Sequence, residues 1–209
     1  MKRSIALLLA IVLILSGIEV KASMLSYLGT LSYWYSDDDT IGRWNANFIK
    51  VCKSKLNTNN SFAFLDGMTY GCDSWGYAIG KTISSGNNNF YNDNPSIRFY
   101  GGTRTEIIAQ GLFYPLQSDN GLTHPYDYYE GDWAYGTNDK AGVIVYYAEG
   151  CIIDNGRTTS EYKNTCTHEI GHAIGWYGHS YSSSDIMYPL GSSILTLTSN
   201  EKNHLSQVY

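Results

Sequence analysis

The chain carries no internal repeat, no long linker and no second apolar run beyond its first residues. The missing repeat excludes a solenoid or a propeller. The missing apolar run excludes a multi-span membrane protein, and no C-terminal anchor pattern follows. Basic residues are scarce: 14 Lys and Arg stand against 19 Asp and Glu, for a formal net charge of −5. Such an acidic chain is a poor candidate for nucleic acid or an anionic membrane. The four cysteines contain no CxxC spacing, which argues against a cysteine-ligated zinc. Only five histidines are present, and three of them crowd between positions 168 and 179.

What is present begins with Met1-Lys2-Arg3-Ser4, an apolar run from Ile5 to Leu15, and Ser16-Gly17. Val20-Lys21-Ala22 places small residues at the −3 and −1 positions of a cleavage site. This is the pattern of a secretory signal peptide; as a membrane anchor the run is too short. Ile18 stands where a bacterial lipoprotein signal has its lipidated cysteine. The expectation is a signal peptide over 1–22 and a secreted, extracellular, monomeric domain over 23–209, long enough for one real core. Losing Lys2, Arg3, Lys21 and Glu19 makes the remainder more acidic still. An even cysteine count in an exported chain favours two disulfides. Short loops close most easily, so Cys52–Cys72 and Cys151–Cys166 are the expected pairs, with buried free thiols as the alternative.

The segment His168-Glu169-Ile170-Gly171-His172-Ala173-Ile174-Gly175-Trp176-Tyr177-Gly178-His179 carries the chemistry. Histidines four apart lie on one helix face and can grip one metal ion from the same side. Glu169, beside the first, can act as general base. Gly175 lets the chain leave the helix, and His179 returns as a third ligand. Three protein ligands leave one tetrahedral position open, the arrangement of a catalytic zinc.

Ser184-Asp185-Ile186-Met187-Tyr188-Pro189 follows, with a Met in a tight turn shortly after the third His. Together the two segments resemble the metzincin clan of zinc proteases, and most closely the matrixins. The clan has two residues between the glycine and the third histidine; here Trp176, Tyr177 and Gly178 intervene, and flexible Gly178 can absorb the extra one. The resemblance implies a secreted zinc endopeptidase acting on protein or peptide substrates, with Met187 a hydrophobic floor beneath the metal. It implies an α+β fold: a twisted mixed five-stranded sheet over the zinc helix, the Met-turn, and a C-terminal helix. The substrate would pair with an edge strand, placed at Ala109 to Tyr114 with Ala109, Gly111 and Leu112 as contacts. A side-chain pocket beside the metal would be walled by Tyr188, Pro189 and Leu190. Matrixins are often held latent by a cysteine; no such switch segment precedes this domain, so none is expected. The alternative function is a zinc-containing secreted binding or adhesion protein with little proteolysis.

The remaining elements are read from pattern. Leu31–Tyr35 alternates as a first strand. Asp37-Asp38-Asp39-Thr40 caps a helix near Ile41 to Leu56, striped by Ile41, Trp44, Phe48, Ile49 and Cys52. Further strands are expected at Ser61–Leu65, Ile97–Tyr100, Ala109–Tyr114 and Gly142–Tyr147, then the zinc helix at about Thr159–Trp176. Thr198 and Glu201 form a capping box for a final helix to about Val208. His124 is expected on a surface loop, and His204 solvated on the last helix. Asp127, Glu130 and Asp132 surround Gly131 without the spacing of an EF-hand, so a polar turn is expected there before calcium.

Overall fold

The computed structural model describes residues 33–35, 40–41, 44, 47–86, 97–126, 147–176, 178–206 and 209. They form an α+β fold around a five-stranded mixed sheet. The first strands, β1 (Tyr33–Tyr35) and β2 (Thr40–Ile41), form a separate antiparallel pair. The main sheet holds β3 (Phe48–Lys55), β4 (Thr82–Ser85), β5 (Ile97–Gly102), β6 (Gly121–Tyr126) and β7 (Tyr147–Ile153). Its order is β4-β3-β5-β7-β6. The first four run parallel, and only β6 is antiparallel to its neighbour.

The helices are α1 (Phe64–Ile79), α2 (Arg104–Ala109), α3 (Thr159–Ala173) and α4 (Ser199–Ser206). On one sheet face Ile49, Val51, Ile97 and Phe99 meet α1 and α3 in the main core. On the other, Ile107 of α2 packs with Phe113, Cys151 and Ile153. Parallel strands buried on both faces are expected of such a layering. Helices α1 and α3 lie very close because α1 presents glycine at the crossing. A Cβ on Gly71 would sit 2.9 Å from Thr167 Cα, so any side chain there would force the helices apart. Among the described residues no helix is long and apolar enough to cross a membrane.

Several expectations are corrected. The helix at Ile41–Leu56 is instead largely strand β3, where β-branched Ile49 and Val51 alternate inward between two parallel neighbours. The strand at Ser61–Leu65 is the entry to α1, whose buried stripe Phe64, Met68, Cys72, Trp75 and Ile79 has helical spacing. The strand at Ala109–Tyr114 is the end of α2 and a turn with Gly111 at φ 74°. Thr103 and Glu106 close a capping box there, which fixes helix where alternation suggested strand.

All four cysteines are buried free thiols. Cys52 follows inward-facing Val51, so it lies across the sheet from Cys72 on α1. Cys151 belongs to the α2 side and Cys166 to the α3 side. The sheet separates both expected pairs, so neither Cys52–Cys72 nor Cys151–Cys166 can form without rearrangement. Burial pushes the Cys72 thiol up to about 12 and raises Cys151 and Cys166 as well, which keeps them protonated and unreactive. The signal segment, the acidic group at Asp127, Glu130 and Asp132, and most of the strand expected at Gly142–Tyr147 lie outside the described residues.

Candidate metal centre

Helix α3 delivers the first two imidazoles. Its start is fixed by a capping box: Thr158 N donates to Glu161 Oε2 at 2.8 Å, and Glu161 N to Thr158 Oγ1 at 3.3 Å. From that start His168 and His172 fall one turn apart on the same face. Trp176 N closes onto Gly171 O at 2.9 Å. The chain then turns through Gly175 (φ 121°) and Gly178 (φ 77°), positive angles that glycine tolerates and other residues resist. These turns bring His179 back to the helix, with its ring 5.2 Å from that of His168 and 5.1 Å from that of His172. One ligand atom from each of the three lies within 4.8 Å of the others.

The proton positions follow from the partners. His168 Nδ1 lies 2.7 Å from Ile186 O, and His172 Nδ1 lies 2.7 Å from Trp176 O. A carbonyl oxygen only accepts, so each Nδ1 carries the proton and each Nε2 presents a lone pair. Burial pushes His168 down to about 4 and His172 well below the ordinary range, and it lowers His179 too. The rings are therefore neutral at neutral pH. The two Nε2 atoms stand 3.0 Å apart. Two lone pairs at that distance cannot bond each other; a cation between them satisfies both. The donor set thus fits a divalent metal, with the backbone carbonyls fixing ring orientation as metal-bound histidines usually require. Zn–N bonds of about 2.0–2.1 Å in a tetrahedron place ligand nitrogens a little over 3 Å apart.

Met187 is fully buried beneath this cluster. A Cβ on Gly171, between the two helix histidines, would lie 2.6 Å from Met187 Sδ, so the thioether packs directly on the helix backbone. The turn that carries it is locked on both sides. Ser180 N donates to Met187 O at 2.8 Å, and Met187 N donates to Glu201 Oε1 at 2.8 Å. The other oxygen of Glu201 accepts from Thr198 N at 2.8 Å. The capping box of α4 therefore also anchors the turn that carries Met187, a role the T-x-x-E pattern alone does not reveal. Asp185 completes the lock, accepting from Ser180 Oγ at 2.5 Å and Thr198 Oγ1 at 2.9 Å.

Glu169 is almost fully buried at the foot of a cavity of about 620 Å³. Burial raises its carboxyl to about 8, against the lowering effect of the hydrogen bond from Thr123; a cation in the cluster would pull it down again. Thr123 Oγ1 donates to Glu169 Oε2 at 2.7 Å. Two residues along, a Cβ on Gly121 would sit 2.7 Å from Glu169 Oε1. Strand β6 thus holds the carboxylate with one hydroxyl and makes room for it with one glycine. Neither residue is marked by pattern, because Gly121 and Pro125 break the alternation that would announce a strand.

The cavity is walled by Tyr188, Pro189 and Leu190, and on the sheet side by Gly121, Leu122 and Thr123. The edge strand facing the cluster is therefore β6. Ala109, at the end of α2, and Gly111 and Leu112, in the turn after it, are not among the cavity-lining residues and form no strand edge. His124 lies in β6 rather than in a loop, its ring 5.5 Å from Phe113. His204 is buried, not solvated: its ring lies 4.4 Å from that of Trp176, and burial pushes it down to about 4. Tyr177 is outside the described residues. No protein family matches the chain, and no curated protein matches it.

Proposed function

We propose that the protein is a secreted zinc-dependent endopeptidase with a metzincin-like, and more narrowly matrixin-like, catalytic domain. It hydrolyses peptide bonds of extracellular proteins. The single observation that carries this reading is the meeting of three neutral imidazoles, two with lone pairs face to face at 3.0 Å, beside a buried carboxylate. His168, His172 and His179 would hold one zinc ion. Zinc, when bound, supplies a Lewis acid and lowers the pKa of water at its open position to about 7. Glu169 accepts the proton of the attacking water and returns it to the leaving amine. Such transfer is worth typically ~10²–10⁴-fold. Strand β6 ends the sheet order among the described residues, so an extended peptide can add to its outer edge by backbone hydrogen bonds. Glu169 lies directly behind that edge, which places the base beside the bond presented.

The test is cleavage of a mixed peptide library by the purified protein and by Glu169→Ala. Cleavage by the wild type alone, stopped by a chelator, supports the reading. Zinc held by both with no cleavage by either refutes it and leaves a zinc-bearing binding protein.

A further inference from the structure

The end of the cavity away from the histidines is built from hydrogen-bond donors. Arg157 Nε donates to Asn155 Oδ1 at 2.6 Å. A guanidinium only donates, so that atom is the Asn155 oxygen and its amide nitrogen faces Asn120, where Nδ2 donates to Oδ1 at 2.9 Å. The Asn120 oxygen is thereby used, and its NH₂ group remains as a donor on a residue that lines the cavity. The Asn120 amide packs against the Gly191 backbone, where a Cβ would lie 2.9 Å from Asn120 Nδ2 and 3.7 Å from Arg157 Nη1. Arg157 Nη1 donates to Thr165 Oγ1 at 2.7 Å, which makes that oxygen the acceptor and frees the hydroxyl hydrogen. Arg157 Nη2 is buried with no partner. Asn120, Thr165 and Gly191 all line the cavity. Besides Glu169, the acidic residue among the described cavity lining is Asp119, which accepts from Leu116 N at 2.6 Å. The loop behind is rigid, because Tyr162 Oη accepts from the backbone N–H groups of Gly156 and Arg157 at 2.9 and 3.1 Å.

We infer that this pocket selects a substrate side chain ending in an oxygen acceptor, glutamate or glutamine, next to the cleaved bond. The inference rests on the endopeptidase reading for the word substrate, but the donor set stands without it. An acceptor oxygen entering this end of the cavity can take a hydrogen from Asn120 Nδ2–H or Thr165 Oγ1–H, with the Arg157 charge behind them. An apolar side chain of the same length leaves those donors unpaired, which sites built on hydrogen bonds reject strongly.

Peptides identical except for Glu, Gln, Leu or Phe at each flanking position would be compared two ways: cleavage by the wild type, and fluorescence-anisotropy binding to Glu169→Ala. The expected result is at least about a tenfold preference for Glu and Gln over Leu and Phe at one position in both assays. Arg157→Met should narrow that ratio and reduce Glu more than Gln. The nearly isosteric Thr165→Val, which has less scope to disturb folding, should narrow it for both. Equal or better binding of the Leu peptide, or no binding at all, overturns the inference. Selective binding without wild-type cleavage leaves the pocket standing and refutes the endopeptidase; cleavage with apolar preference does the reverse.

Discussion

Stripping and restoring zinc should move the melting temperature by an amount that can be worked out in advance. Both helix histidines are pinned through Nδ1 to carbonyls at 2.7 Å, so the folded chain presents a prepared site and the unfolded chain does not. A ligand that binds only the folded state stabilises it by RT ln(1 + [L]/Kd), about 2.7 kcal/mol at a hundredfold excess over Kd. For a chain of this size one kcal/mol is worth roughly 2–4 °C. The chelated protein should therefore gain about 5–10 °C when zinc is returned. His168→Ala or His172→Ala should abolish the gain at the same zinc concentration, and His179→Ala should reduce it. Glu169→Ala should keep it, because the proposed role of the carboxylate is that of a base and not of a ligand. Differential scanning fluorimetry across a zinc series reads all of these. A wild type that does not shift, or a double His168→Ala, His172→Ala variant that shifts equally, refutes the metal centre and everything derived from it.

Three further perturbations have defined outcomes. Thr123→Val removes the hydroxyl bonded at 2.7 Å to Glu169; a hydrogen bond to a charged group is worth about 1.5–3 kcal/mol. Peptide kcat/KM should fall on the order of 10–100-fold, and Thr123→Ser should recover most of it; an unchanged rate would separate β6 from the base. His204 titrates near 4 when folded and near 6.5 when unfolded, so the unfolded chain takes up the proton first. Its contribution is intact above pH 6.5 and falls as the pH drops towards 4, by about 2–3 kcal/mol. Urea unfolding at pH 7 and 4.5 should show a smaller acid loss in His204→Phe than in the wild type, and equal losses would show that the ring does not stay neutral. The four cysteines should react with a thiol reagent only after denaturation, and reductant should leave the melting temperature where it was. Fewer than four thiols in the unfolded, unreduced protein would restore a disulfide.

The parts that were legible in the chain are those written over one or two helical turns. His168 and His172 need only a 3.6-residue period to converge, and the Thr198–Glu201 box needs only a spacing of three residues; the Thr158–Glu161 box that starts the same helix was not read from the chain. The cavity wall at Tyr188 to Leu190 follows because it is tethered within a few residues of Met187. The sheet was harder to read because its strands are defined by partners far away in sequence. Ile49 and Val51 form a strand because β4 and β5 flank them; the stripe from Ile41 to Cys52 satisfies a helix period equally well in isolation. Helix α1 misleads in the opposite direction. Gly67, Gly71 and Gly76 lower its helix propensity, yet the first two are there so that α1 can lie against Cys166, Thr167 and Ile170.

The misplaced substrate edge has the same origin and says how the site is built. Ala109–Tyr114 offered better strand composition than Gly121–Tyr126, and composition is what pattern reading weighs. An edge strand beside a buried carboxylate answers to a different demand. It must let a carboxylate approach its backbone, which Gly121 allows, and it must place one donor on that carboxylate, which Thr123 supplies. It must also leave its outer hydrogen-bonding row open. Residues chosen for those tasks depress strand propensity, so the segment nearest the chemistry is the one least like a strand in sequence. The cysteines make the complementary point. Loop length counts only the chain between two residues, whereas Cys52 and Cys72, like Cys151 and Cys166, are kept apart by the sheet that runs between them. Substituting Cys52 and Cys151 by Ala should therefore cost only what two small buried side chains contribute to packing, with no loss of a cross-link.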